Sequence, residues 1–449
     1  MSVPSSSPIS TGYSRRLGLF DATMLVIGGI IGAGIFLNPA VVAQRVPTAS
    51  VAIGAWITGG LVALAGALCF AELAARRPLA GGGYVYLRDA FGPLPAFLYG
   101  WTQLLVINSG GIAAVAFTFA TYAIALGGGD ARLATPIAIG AVLLLSGINF
   151  FGIRLGAIVQ NIFTVLKIAA LAGLIAVGLL RGMAASPAAP AGPTGPIGIT
   201  AALGAALVPV LFAYGGWQST NFVAEEIRDT ERTLPRALLL GVGGVVAIYV
   251  LANVVYLAVL GLSGLAASTA PAFDVMERLA GPVGSMSITV GVVVSTFGFL
   301  NLAILASPRM YQAMAADGVF FGAAARLDPR YHVPAVALTI QAIWAVLLLS
   351  SRTYGQLLDY VVFGDWIFFG LVGATLFVYR HREQAVVPRF LVPLYPLVPG
   401  FFVSAAIFTV LSSIAADTRN ASLGAVLILL GVPVFFAWRR HRDRMPDSR

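Results

Sequence analysis

Four glycines fall within seven residues in Gly28-Gly29-Ile30-Ile31-Gly32-Ala33-Gly34, which runs on into Ile35 and Phe36 inside the first long apolar run. Each glycine weakens a helix by about 1 kcal/mol relative to alanine. Backbone that unwinds at bilayer depth loses its internal hydrogen bonds, which is tolerable only where the freed groups line a cavity or hold a ligand. A half-helix that starts there offers N–H groups to an anion, and one that ends there offers carbonyls to a cation. Tyr214-Gly215-Gly216-Trp217 makes a second interruption in another apolar run. Close helix packing is the alternative use of such glycines; the crowding and the second break favour unwinding.

The titratable residues narrow the chemistry further. Lys167 is the only lysine among 27 basic residues and stands about ten residues inside an apolar run, in Val165-Leu166-Lys167-Ile168-Ala169. An ionisable group at that depth is by default functional; snorkelling to the interface would need a long reach. Asp21, Glu72, Glu225 and Glu226 lie near run ends and are expected to pair with Arg76, Arg77, Arg228 or Arg309. In the tenth run, Asp359 reads as interfacial. Asp365 either faces the bundle, serving a cation or a proton, or pairs locally. His332, His381 and His441 are far apart, Cys69 is alone, and no Ser/His/Asp group, phosphate loop or metal-ligand spacing occurs. Catalysis, a metal and a cofactor are therefore not expected, nor is ATP-driven pumping.

The elements that must position these residues are membrane spans. The chain is 59% hydrophobic and 10% charged, against about 25% charged for soluble domains, so an all-α integral membrane protein is expected. Runs long enough to cross about 30 Å of hydrocarbon read at 19–44, 50–75, 95–126, 134–151, 157–181, 199–225, 236–262, 284–314, 333–350, 356–379, 394–414 and 420–438, about twelve spans. Of the arginines, twenty fall on one set of loops and both termini and six (Arg45, Arg132, Arg181, Arg278, Arg352 and Arg419) on the other. That bias predicts cytoplasmic termini and accounts for the net charge of +9 without a nucleic-acid partner. The breaks lie in spans one and six, an odd offset, so the two halves enter the membrane in opposite directions. This predicts a 5+5 inverted repeat, residues 17–181 and 199–380, with two further spans over 390–440. Residues 1–16 and 441–449 read as cytoplasmic tails, Ser186 to Gly198 as an extracellular linker, and Gly81 to Pro95 as a short helix along the cytoplasmic surface. Heavy Ala, Gly and Arg usage fits a bacterial source and hence the inner membrane.

The chain resembles the amino acid–polyamine–organocation superfamily, particularly bacterial relatives of the L-type amino acid transporter light chains. The resemblance runs from about Leu17 to Arg440. Its motifs are Gly32-Ala33-Gly34-Ile35-Phe36; Glu72-Leu73 with Pro78 and Gly81-Gly82-Gly83-Tyr84-Val85-Tyr86-Leu87; Phe212-Ala213-Tyr214-Gly215-Gly216-Trp217 continuing through Asn221-Phe222, Glu225-Glu226 and Leu234-Pro235-Arg236; and Pro308-Arg309 with Met314 and Asp317-Gly318. It implies a fold like the bacterial leucine transporter, with alternating access to a central amino acid site.

An amino acid zwitterion then needs partners for both charges. The carboxylate is assigned to backbone around Gly32, Ala33 and Gly34, and the ammonium to carbonyls near Ile30 and Ile31 and of Phe212, Ala213 and Gly215. Ile35, Tyr214 and Gly216 complete the two break segments. Phe212, an aromatic position in the family, is the candidate gate over the site, with lipid-facing or core packing as the alternative; Trp217 reads as packing. Gln218, Ser109 and Asn108 are candidates to reach the substrate side chain. In sodium-coupled relatives a cation bridges spans one and eight, and the resemblance implies that the Lys167 ammonium takes that place, against carbonyls near Gly28 and hydroxyls such as Ser295 or Thr296. Asn253 and Tyr256, three apart in span seven and on one helix face, would support the site or only tie helices together.

These readings converge on a sodium-independent transporter of neutral L-amino acids, an exchanger or facilitator. Transport of amines, polyamines or cationic amino acids, with or without proton coupling, and a non-transporting amino acid sensor are the alternatives. No cysteine lies between spans three and four, so a disulfide-linked heavy chain is not expected, and the chain should work as a monomer in the lipid bilayer.

Overall fold

The structure, a computed structural model, describes residues 12–181, 198–351, 354–416 and 418–442. Most of the expected tails, the Ser186-to-Gly198 linker apart from its last residue, and Arg352 lie outside them. Among the described residues every regular element is helical. Span one is two helices, α1 (Leu19–Ile30) and α2 (Gly34–Ala43). Span two is α3 (Ala49–Arg76), whose first turn is capped by the Thr48 hydroxyl accepting from the Val51 N–H at 3.3 Å. The expected surface helix follows as α4 (Gly83–Phe91), and its buried face (Tyr84, Val85, Tyr86 and Leu87) makes it part of the bundle.

Span three joins α5 (Pro93–Thr102) to α6 (Asn108–Gly127) through a π-helical turn, Gln103–Ile107. Spans four and five are α7 (Ala134–Phe150) and α8 (Ile153–Arg181). Span six is α9 (Ile199–Ala213), a glycine turn, and a 3-10 segment, Trp217–Glu226. Then come α10 (Thr230–Ala267), α11 (Pro271–Ala316), α12 (Ala335–Ser351), α13 (Tyr354–Arg382), α14 (Leu397–Ala416), α15 (Thr418–Leu429) and α16 (Gly431–Arg442). With α15 and α16 as one interrupted span, the chain is an all-α membrane protein of about twelve spans. Span eight starts earlier than 284 because a short helix from Pro271 runs into it across a kink at Gly281, φ +63°.

The two broken spans lie side by side and antiparallel. Helix α1 packs on the Trp217–Glu226 segment, and α2 packs on α9. At the face carrying the chain's ends, the Arg16 and Leu17 N–H groups donate to the Glu226 carbonyl at 2.9 and 3.0 Å, and the Arg228 N–H donates to the Leu17 carbonyl at 2.9 Å. The entry to span one is thereby stitched to the exit of span six.

Candidate functional site

The first break occupies Ile31, Gly32 and Ala33. Helix α1 ends with the Ile31 N–H on the Ile27 carbonyl at 2.9 Å, and the chain then turns extended at Ile31. The first N–H groups of α2 have no intrahelical partner and carry the positive end of its dipole. At the second break, Gly216 adopts φ +106°, a left-handed conformation suited to glycine. The Gln218 side-chain oxygen accepts the Gly216 N–H at 2.9 Å and fixes the turn. The halves are tied together by the Asn38 amide, which donates to the Pro209 carbonyl at 2.8 Å. Pro209 has no N–H to give the Ala205 carbonyl one turn back, and the Arg45 guanidinium donates there instead at 2.8 Å.

Between the breaks lies a cavity of about 300 Å³, at the small end of the usual range for ligand sites. Ile30, Gly32, Ala33 and Gly34 line it from span one, and Phe212, Ala213, Gly215, Gly216 and Gln218 from span six. Asn108 lines it from span three and Phe299 from span eight. Span ten contributes Asp365, Trp366 and Phe369; among the described residues Asp365 is the only acidic one on the lining, with no basic one opposite. The Gln103 amide, in the π-helical turn, donates to the Asp365 carboxylate at 3.2 Å. Phe212 is 40% exposed although it lines the cavity.

Lys167 is fully buried behind the first break. Its ammonium donates to the Gly28 carbonyl at 3.0 Å and to the Ile31 carbonyl at 2.7 Å. The Ser295 hydroxyl reaches the Ile31 and Gly32 carbonyls at 3.1 and 3.2 Å. Spans five and eight therefore converge on the same unwound turn. The Ile30 carbonyl is taken by the Tyr249 hydroxyl at 3.0 Å. Below them runs a polar chain: the Gln160 amide donates to the Thr164 hydroxyl at 3.3 Å, and Thr164 donates to the Met24 carbonyl at 3.2 Å. The Asn301 amide reaches Gln160 at 3.1 Å, and the Asn149 amide reaches Asn301 at 3.1 Å.

Toward the face carrying the ends, ion pairs close the bundle under the cavity. Glu226 and Arg309 pair at 3.1 Å with side chains 1% and 3% exposed. Glu72 pairs with Arg76 at 2.9 Å and also with Arg380. Arg77 pairs with Asp89 and Glu383, and Arg88 with Asp317. Asp317 also accepts from the Tyr84 hydroxyl at 2.8 Å. Burial, with the Asp317 carboxylate beside it, pushes that hydroxyl above its usual range. Asp21 instead accepts from the Gly18 N–H and the Asn161 amide, and Glu225 accepts from the Ala80 N–H.

Not every candidate falls on the cavity wall. Ile31, Ile35, Tyr214 and Ser109 are buried away from the lining. Tyr214 packs edge-on against Trp56 and tilted against Tyr249, at centroid distances of 5.8 and 5.1 Å. Thr296 bonds its own helix, to the Val292 carbonyl at 2.9 Å, and is not bonded to Lys167. Asn253 donates to the Tyr249 carbonyl at 2.9 Å, and the buried Tyr256 hydroxyl makes no hydrogen bond among the described residues. The side chain of Asp359 lies outside the described residues. Tyr249, Asn38, Asn149 and Asn301 are contributors the sequence reading did not single out. Gln160 and Thr164 were also passed over, although with Lys167 they make a polar stripe at helical spacing on an apolar span.

Two unwound spans crossing around a mid-bundle cavity define a multi-pass membrane carrier of the broken-helix kind. The sequence pattern of the amino acid permease family matches residues 17–438, and the chain belongs to that family. It is 31% identical to the serine/threonine exchanger SteT of Bacillus subtilis (strain 168), over 96% of this chain and 98% of that one. It is 30% identical to the human b(0,+)-type amino acid transporter 1, over 97% of this chain and 90% of that one. Identity to the human large neutral amino acids transporter small subunit 2 is 32%, over 94% and 80%.

Proposed function

We propose that this chain carries neutral L-amino acids across a bacterial inner membrane without sodium, by exchange or facilitated passage, with both termini cytoplasmic. Amino acid transport follows from the family; the finer reading rests on the Lys167 ammonium, bonded to the Gly28 and Ile31 carbonyls. A fixed cation there satisfies the oxygens that a sodium ion would otherwise use. The substrate carboxylate sits at the free N–H groups of Gly34 and Ile35. With the Ile30 and Ile31 carbonyls already engaged, the substrate ammonium turns to the carbonyls of Ala213 and Gly215. Phe212 is the gate, and residues 17–181 and 199–380 are the two inverted repeats that frame the site. A single copy suffices for transport.

The test is counterflow in proteoliposomes, with unlabelled amino acids inside and labelled alanine, serine and leucine outside, in sodium and in choline buffers. Equal accumulation in both buffers supports the reading; accumulation only in sodium overturns it. One observation favours a second substrate class. Asp365 faces the cavity with no cation opposite among the described residues, an arrangement suited to a substrate with a positively charged side chain. Accumulation of labelled lysine or a diamine in place of neutral substrates would select that class.

A further inference from the structure

A second cavity, of about 510 Å³, opens at the face carrying the chain's ends, far from the breaks. Arg16 from the entry to span one, Arg154 from the first turn of α8 and Arg228 from the exit of span six line it, with Asp21 and Ile158. Three cations thus face one anion, and the Asp21 carboxylate is already engaged by the Gly18 N–H at 3.0 Å and the Asn161 amide at 2.7 Å. Among the described residues none of the three arginines has a carboxylate within ion-pair distance. The one hydrogen bond from their guanidinium groups is a long one, from Arg228 to the Arg15 carbonyl at 3.4 Å.

Like charges gathered around a hollow repel unless an anion joins them. Guanidinium forks suit the oxygens of a phosphate diester. The cavity lies at the ends of spans, at headgroup depth, and Ile158 on its wall begins an exposed apolar stripe. That stripe continues along α8 through Ile162, Val165 and Leu166. A soluble phosphate has no use for the stripe, whereas a phospholipid would lay its acyl chains along it. Basic pockets between spans are a recognised form of lipid site.

The structure assigns this cavity to the headgroup of an anionic phospholipid from the leaflet on the side of the chain's ends. Such a lipid ties the entry of span one to span five and to the exit of span six, so it steadies the elements that close the bundle under the substrate cavity. The assignment does not depend on which amino acid is carried.

The test is native mass spectrometry of the full chain in neutral detergent, titrated with phosphatidylglycerol, phosphatidylcholine or glycerol phosphate. Phosphatidylglycerol is expected to be retained and the other two not. Arg154→Gln alone, at an exposed position, should weaken retention about fivefold, and the Arg16→Gln, Arg154→Gln, Arg228→Gln triple about a hundredfold. Arg439→Gln with Arg440→Gln removes two cations elsewhere on the same face and should leave retention unchanged. Retention of phosphatidylcholine as strong as that of phosphatidylglycerol, equal binding of glycerol phosphate, or a triple variant that binds like the parent would overturn the assignment.

Discussion

Gly29 and Gly216 meet backbone to backbone where the two broken spans cross. A Cβ on Gly29 would stand 2.7 Å from the Gly216 carbonyl oxygen and 2.6 Å from Leu302 Cδ2, and one on Gly216 would overlap the Gly29 carbonyl. The chains pass this closely only without side chains. Gly216→Ala adds the strain of a left-handed alanine, about 1–2 kcal/mol, to a clash with rigid backbone. The thermal midpoint in detergent is expected to fall by several degrees and transport to be lost. Gly140→Ala in α7, where an added Cβ meets nothing within 4 Å, should leave both unchanged. A Gly216→Ala protein with the parent's midpoint and rate would remove the close crossing from the account.

Glycine crowding marks both breaks in the sequence itself, because an unwound turn in an apolar run has a local signature. Lys167 was legible for the same reason: one charge among apolar neighbours stands out. Residues that act through distant partners had no such signal. Asn38 finds the Pro209 carbonyl, and Tyr249 the Ile30 carbonyl, only after spans far apart in sequence pack together. Asp365 had two open readings because helical spacing does not say which side of span ten faces the bundle. The π-helical turn at Gln103–Ile107 was invisible, since its residues are ordinary helix formers.

Lys167→Ala removes the ammonium from the Gly28 and Ile31 carbonyls. Hydrogen bonds from charged groups contribute about 1.5–3 kcal/mol each, and Ser295 remains to hold the Ile31 carbonyl. Folding should survive, while initial counterflow rates fall about tenfold or more. Comparing sodium and choline buffers in the same assay checks the role directly. Parental activity with the parental ion response would rule out the lysine as a stand-in for a coupling cation.

The buried Glu226–Arg309 pair tethers span six to span eight below the cavity. Removing one partner of a buried pair strands the other charge, at about 3–5 kcal/mol. Glu226→Gln and Arg309→Met should each lower the thermal midpoint by several degrees, and the double variant by less than their sum. A strictly additive double variant would mean that the two side chains do not stabilise each other.

Phe212 lines the cavity yet is 40% exposed, as a ring would be that closes only over a bound substrate. Phe212→Ala should lower the transport rate much more than it weakens substrate binding, which scintillation proximity and counterflow measure on the same preparation. Loss in equal proportion would assign the ring to plain contact area, and an unchanged rate would remove the gate.

Asp365 tests what the cavity selects. Among the described residues no cation stands opposite it on the lining and only the Gln103 amide is bonded to it, so its carboxylate keeps acceptor capacity facing the cavity. A substrate ammonium or guanidinium would satisfy it; a neutral apolar side chain would leave it to Gln103. Asp365→Asn preserves the shape and removes the charge. If neutral amino acids are the substrates, their rates should change little, since a neutral side chain draws no charge contact from residue 365. Competition by lysine or diamines should be weak in both proteins. If the parent instead prefers a cationic side chain, Asp365→Asn should lose that preference while continuing to accept neutral ones, because the backbone of the two breaks, the proposed partner of the α-amino acid group, is untouched. The competition profile of parent and variant against labelled alanine therefore separates the two substrate classes.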